Sequence, residues 1–427
     1  MKGISTFYTY FWIIYFPVCI AFTNIVKFDY SDEILTVFLV IYAYTKNYTL
    51  NLSYKRKQEI KICIGVFVFY LIYSLVLQIN TNKAIFLDIM QETRPYLVFY
   101  LTWVLAPEFT DRQKRLIKII MLLSFFISLM LSIVAPQLYM RYGGQSVLAG
   151  GESAGLGQIA INCAMIYYLF STHTKKNLFF VVMIVLLGLL AGKSKYYGEC
   201  VAFIYLLFFV KSKLNFKSPK IIFRLSVLTT VIIFFTWTKF NAYYVEGLQT
   251  DNSGSARPET YKASLKIMTD YIPFGSGLGT FACAAAAKEY SPLYYKYNLS
   301  HIWGLGPRNP MFLADAFYPI YIAQFGIFGI FLFFIFWKRR LRETSKINNI
   351  IYYRMALMCI LALAIEQTAD SSYLSGKGMG YFMILALCLN SNRYLSQNHR
   401  QQNKQPQKLY EKDSPYLLLK KKHKRYY

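Results

Sequence analysis

The chain has 427 residues, of which 56% are apolar, 18% aromatic and only 16% charged, with a formal charge of +26. Soluble domains carry roughly a quarter charged residues, and here the apolar residues gather in windows of the roughly 20 residues that cross a bilayer. The composition therefore predicts a membrane protein. The basic excess does not point to nucleic acid, because Lys and Arg punctuate the apolar windows instead of lying on one face or stripe.

In chain order, the windows predict helices near 7–26, 33–45, 61–79, 84–106, 116–135, 154–171, 178–193, 196–212, 222–238, 311–337, 350–369 and 377–392. The expected fold is an all-α, polytopic transmembrane bundle of about 12 helices. Residues 1–238 would carry the first nine, 239–310 a long, partly helical loop, and 311–392 the last three. The first window is too long for a signal-peptide core and lacks a cleavage site, so it is expected to be retained as a helix. The tail, 393–427, is polar and ends in Lys420-Lys421-Lys422-His423-Lys424-Arg425, which suits disorder, either in solvent or on anionic headgroups.

Alternate connections are basic: Lys55-Arg56-Lys57, Arg112 with Lys114 and Arg115, Lys175-Lys176, Lys211 with Lys213, and Lys338-Arg339-Arg340. The positive-inside rule puts these in the cytoplasm together with both termini, and puts the long loop outside. The seven cysteines show no CxxC or Cys/His spacing, so neither a disulfide framework nor a zinc site is expected. No metal and no cofactor is expected.

Charges that break the pattern are the functional candidates, since charge facing outside or within a membrane is costly. Arg94, Arg141, Lys193, Lys195, Arg257 and Arg308 are such cations, and Arg94-Pro95, Arg141-Tyr142-Gly143-Gly144 and Arg257-Pro258 adjoin helix breakers. Convergent cations suit an anionic ligand, and Arg matches phosphate with a bidentate fork. Taken singly, each could instead be a residue reaching to the interface. Within the loop, 255–270 predicts an amphipathic helix with Ala263, Ile267 and Met268 on its apolar side. Pro273-Phe274-Gly275-Ser276-Gly277-Leu278-Gly279 is a Gly-rich turn without a P-loop Lys-Ser/Thr. A Tyr-rich stretch from Tyr290 to Trp303 offers faces for sugar rings or for the interface, and His301 and Asp315 follow.

These features resemble the O-antigen ligase/polymerase family of bacterial envelope glycosyltransferases. The resemblance rests on Arg257, the Pro273–Gly279 turn, Asp315-Ala316-Phe317-Tyr318 and Gly326-Ile327-Phe328-Gly329, in the order of that family's loop motifs. Gly155-Leu156-Gly157-Gln158-Ile159-Ala160 and Gly192-Lys193-Ser194-Lys195-Tyr196-Tyr197-Gly198 match more loosely, the latter with Lys195 where the family has Arg. Asp315 stands where ligase-like members have His, which favours the polymerase branch.

The resemblance implies metal-independent glycosyl transfer in the bacterial inner membrane, from a glycan on undecaprenyl diphosphate to a lipid-linked repeat unit at the periplasmic face. It also implies membrane lipids, a chain-length regulator and a flippase as partners. Arg257 and Arg141 would stabilise the departing diphosphate, supported by Arg94, Lys195 and Arg308. Asp315 would be the base, with His301 and Glu152 as competitors, or it could simply pair Arg308 or cap a helix at Pro310. Glu366 and Asp370 share a helix face near the same end. The competing functions are an O-antigen ligase and, in another class, a lipid-linked glycan flippase or other transporter.

Overall fold

Hydroxyl and amide side chains set the starts of several helices. Thr81, Thr174 and Asn349 stand in extended backbone and accept from the N–H groups of Ala84, Asn177 and Ile351. Each satisfies a donor that the first helical turn leaves without a partner. The computed structural model describes residues 2–25, 31–46, 54–134, 154–214, 218–241, 245, 256–368, 370–374 and 376–392.

The helices are α1 (Lys2–Ile25), α2 (Ser31–Lys46), α3 (Tyr54–Leu77), α4 (Asn82–Leu105), α5 (Asp111–Val134), α6 (Ala154–Phe170), α7 (Lys175–Leu187) and α8 (Ser194–Phe208). They continue as α9 (Pro219–Phe240), α10 (Ala256–Asp270), α11 (Ala284–Lys288), α12 (Leu293–Lys296), α13 (Tyr318–Gln324), α14 (Gly326–Ser345), α15 (Ile350–Glu366) and α16 (Gly376–Leu389). Short 3₁₀ turns lie at Gly188–Ala191 and Ser372–Leu374. There is no strand among the described residues, and the all-α expectation holds.

Helices that are apolar all round belong in the middle of a bundle. Accordingly α6 and α16 are buried along most of their described length, and α16 packs between α4 and α15. Outer helices leave large apolar side chains uncovered: Ile64, Val68, Ile72 and Val76 on α3, Leu123, Ile127 and Met130 on α5, Phe331 and Phe334 on α14. Among the described residues α3 is the one helix long and apolar enough to cross a membrane, with a mean hydropathy of 2.4 over its best 18-residue window.

Two expected spans are corrected. The run 311–337 is not one helix: residues 311–317 are turns, α13 follows, and the chain breaks at Gly326 before α14 begins. Gly326 has φ +60°, and a Cβ there would lie 2.7 Å from the Pro273 carbonyl oxygen. Close approach of the loop backbone therefore imposes the break. The run 178–193 is α-helical only to Leu187 and then tightens into the 3₁₀ turn, beside which the Tyr196 hydroxyl donates to the Val185 carbonyl at 2.7 Å.

Residues 256–317 form a layer over one end of the bundle. Helix α10 takes the expected amphipathic form, with Ala263 and Ile267 buried and Met268 half-buried, and it packs on α13. Phe281, Cys283, Tyr294 and Leu305 are buried under the layer and continuous with the core of the bundle. Cys283 accepts from Ala286 N–H at 3.3 Å at the start of α11, and burial pushes its thiol up. Tyr297 donates to Asp270 at 2.6 Å, tying the end of α10 to the Tyr-rich stretch; burial and that carboxylate push its phenol up.

Candidate functional site

The Gly-rich turn fastens the layer down. The N–H groups of Ser276 and Gly277 donate to the carbonyls of Ala323 and Gln324 at 2.8 and 2.9 Å. Leu278 N–H donates to Ser74 Oγ at 2.7 Å and Gly279 N–H to Asp88 Oδ2 at 2.8 Å. From the helix side, Tyr73 donates to the Gly275 carbonyl at 2.8 Å, and Asn80 to the Gly279 carbonyl at 2.6 Å. Every N–H from Ser276 to Gly279 is thus spent on a protein acceptor. The turn is a clasp and offers no donor to a phosphate.

Three charged groups lie where this clasp brings the loop against the helix ends. The first is Arg257, at the start of α10, whose Nη2 forms a close ion pair with Asp315 Oδ2 and lies 3.5 Å from the Asp315 carbonyl oxygen. Asp315 therefore pairs with Arg257 and not with Arg308. The Arg257 side chain is 15% exposed and that of Asp315 is 37% exposed, so the pair faces solvent on one side.

The second group joins α6, α8 and α15. Lys195 Nζ lies 2.5 Å from Glu366 Oε2 and 2.9 Å from Asp370 Oδ2. Gln158 Nε2 donates to the same Glu366 oxygen at 2.7 Å. Glu199, one helical turn beyond Lys195, is fully buried, and among the described residues neither of its carboxylate oxygens has a hydrogen-bond partner. Lys195 is consequently the counter-ion of an acid cluster, whereas the sequence suggests an outward cation ready for a ligand. Glu366 and Asp370 do not share a helix face as expected, because α15 ends at Glu366; they meet instead on Lys195.

The third group is on α4. Asp88, Glu92 and Arg94 are buried, and Asp88 is spent on the clasp. Among the described residues, neither Glu92 carboxylate oxygen has a hydrogen-bond partner. Close by, the Tyr96 and Tyr321 hydroxyls meet at 2.7 Å.

A backbone hydrogen bond, a tyrosine hydroxyl and ring contacts connect the three groups. Phe317, two residues after Asp315, donates its N–H to the carbonyl of Gln367, which adjoins Glu366, at 3.4 Å. The Tyr318 hydroxyl donates to the Ala364 carbonyl at 3.1 Å. The Phe317 ring lies 4.5 Å from that of Tyr373, which in turn stands 6.1 Å from Tyr96 on α4. The structure thus joins the Arg257–Asp315 pair to the Lys195 cluster, while Arg94 lies near the middle of α4. His301 and Arg308 lie apart, exposed on the turns between α12 and α13. Arg141 and Glu152 lie outside the described residues, as does the 393–427 tail.

Sequence reasoning missed Asp88, Glu92 and Glu199. Their signal was an acid inside an apolar run: Asp88 and Glu92 lie one turn apart, as do Lys195 and Glu199, and so share a helix face. Among the described residues no group of three or more His, Cys, Asp or Glu is placed to hold a metal ion.

No protein-family model matches the chain, and comparison with curated proteins gives no similar protein.

Proposed function

We propose that the chain is a polytopic inner-membrane glycosyltransferase of the polysaccharide-polymerase kind, extending a glycan carried on undecaprenyl diphosphate. The membrane part of this reading is supported by the uncovered Ile, Val, Leu and Phe side chains on outer helices α3, α5 and α14. Such surfaces are far more apolar than water tolerates on a monomer. The observation that carries the catalytic part is the Arg257–Asp315 pair, held at the open side of the loop layer and joined through Phe317 and Gln367 to a buried charged cluster.

The chemistry needs two things from the protein. The oxygen–C1 bond to the diphosphate breaks, and the departing anion must be stabilised. The acceptor hydroxyl oxygen forms the new bond to C1, and its proton must be taken up. An arginine fork suits the first need, and in the resting site Asp315 is its counter-ion. A diphosphate arriving at Arg257 displaces that carboxylate, which is then free to take the hydroxyl proton. Substrate binding itself thereby prepares the base. Arg94 adds positive charge behind the site, while Lys195 acts through Glu366 and Asp370 as a positioning residue. Arg141 and Glu152 remain candidates on sequence grounds alone.

The test is elongation of a supplied lipid-linked repeat by the purified chain in liposomes. Arg257→Lys keeps the charge and loses the fork, and is expected to lower the rate about 10- to 100-fold. Arg257→Ala is expected to abolish elongation while leaving the protein folded. Normal elongation by Arg257→Ala would overturn the site assignment, and failure of the wild-type chain to elongate would overturn the polymerase reading. A flippase would move the repeat across the bilayer without lengthening it.

A further inference from the structure

A groove of about 100 Å³ runs along the outside between α3, α4 and α14, from beneath the clasp to the end of the bundle remote from the loop. Its walls are Val66, Phe67 and Tyr70 of α3, Tyr96 of α4, and Phe333 and Phe336 of α14. At 1.5 Å per residue, Glu59 to Tyr70 spans about 16 Å on α3, and Gly329 to Arg339 about 15 Å on α14. One leaflet contributes about half of the roughly 30 Å hydrocarbon core, so the groove is one leaflet deep.

The two ends differ in chemistry. The deep end is closed by hydroxyls already spent, Tyr70 on the Phe325 carbonyl at 2.7 Å and Tyr96 on Tyr321 at 2.7 Å. Nothing there seats a polar head. At the mouth, Glu59 is taken up by a close pair with the buried Arg340 and by the Tyr100 hydroxyl at 2.9 Å, with Arg339 at 4.0 Å. Arg340 is further held among the faces of Phe99, Trp103 and Phe336. With that acid neutralised, Lys55, Lys57 and Lys61 on α3 and Lys338, Arg339 and Arg342 on α14 stand exposed at the same helix ends.

We propose that this groove holds one acyl chain of an anionic phospholipid of the cytoplasmic leaflet, with its headgroup against the basic mouth. The inference rests on the membrane reading above. Its polarity separates this occupant from the polyprenyl donor, whose diphosphate belongs at the opposite end beside Arg257. Charge selects the headgroup and depth selects a single leaflet's chain. Because the groove separates α3 from α14, its occupant completes the wall that carries Tyr70 and Phe325, and so supports the clasp from below.

Native mass spectrometry of the detergent-solubilised full chain, reloaded with dioleoyl phosphatidylglycerol or dioleoyl phosphatidylcholine, tests this. The wild-type chain should hold one phosphatidylglycerol about tenfold or more tightly than phosphatidylcholine. Val66→Trp, which fills the groove, should remove that adduct. The exposed pair Lys338→Gln and Arg342→Gln, neither of which lines the groove, should bring phosphatidylglycerol down to the phosphatidylcholine level. Equal binding of the two lipids, an undiminished adduct in Val66→Trp, or displacement of the adduct by undecaprenyl phosphate would overturn the proposal. A chain that stays in carbonate-washed membranes without this selectivity loses the groove and keeps the membrane reading. A chain released by carbonate loses both.

Discussion

Replacing Lys195 by Met removes the cation that contacts both Glu366 and Asp370 where α6, α8 and α15 meet. The Lys195 and Glu366 side chains are 8% and 2% exposed, so Glu366 cannot recover water once its partner is gone. Asp370, at 29%, partly can. Removing one partner of a buried pair typically costs about 3–5 kcal/mol, most of it the uncompensated charge left behind. Glu366 should account for most of that loss. Adding Glu366→Gln to the Lys195→Met chain takes away the stranded charge and keeps an amide able to bond Gln158. The double variant is then expected to be about 2–3 kcal/mol more stable than the sum of the two single losses predicts. Thermal unfolding of the four proteins in one detergent measures this coupling. Strictly additive losses would refute the reasoning, because two groups 2.5 Å apart in a dry site cannot act independently.

The clasp makes sharp predictions of its own. Gly279 has φ +72°, and a Cβ there would lie 2.7 Å from the Ala84 carbonyl carbon, so Gly279→Ala should loosen the loop layer. Limited proteolysis between residues 280 and 312 should quicken, whereas unchanged protection would place the anchor elsewhere. Asp88→Asn keeps an oxygen for the Gly279 N–H and should cost little, while Asp88→Ala leaves that N–H unpaired and should cost about 1–3 kcal/mol. Equal effects of the two in the same unfolding experiment would argue against a hydrogen-bonding role.

The helices were legible from apolar run length, because it acts through the local backbone. The amphipathic α10 was legible for the same reason. What escaped were features imposed by distant partners. The apolar run at 311–337 contains no local breaker strong enough to foretell the stop at Gly326, which is set by the Pro273 carbonyl some fifty positions upstream. Lys195 looked like a free outward cation because the acids that hold it lie more than 170 positions later. Asp315 was visible as a candidate, but its pairing with Arg257 was not, since Arg308 stands much nearer in sequence. Proximity along the chain favoured the wrong arginine, and the fold brought the other one in.

The clasp bears on how a growing polymer would move. A cover hinged at its glycines could open and shut with each addition, releasing the product every cycle. Here the glycine turn is bonded to α3, to α4 and to the junction of α13 and α14, so that hinge is locked. The layer is then a fixed roof, and under the proposed function a long glycan would thread past the Arg257–Asp315 edge one repeat at a time. An enzyme built this way would keep hold of its chain between additions.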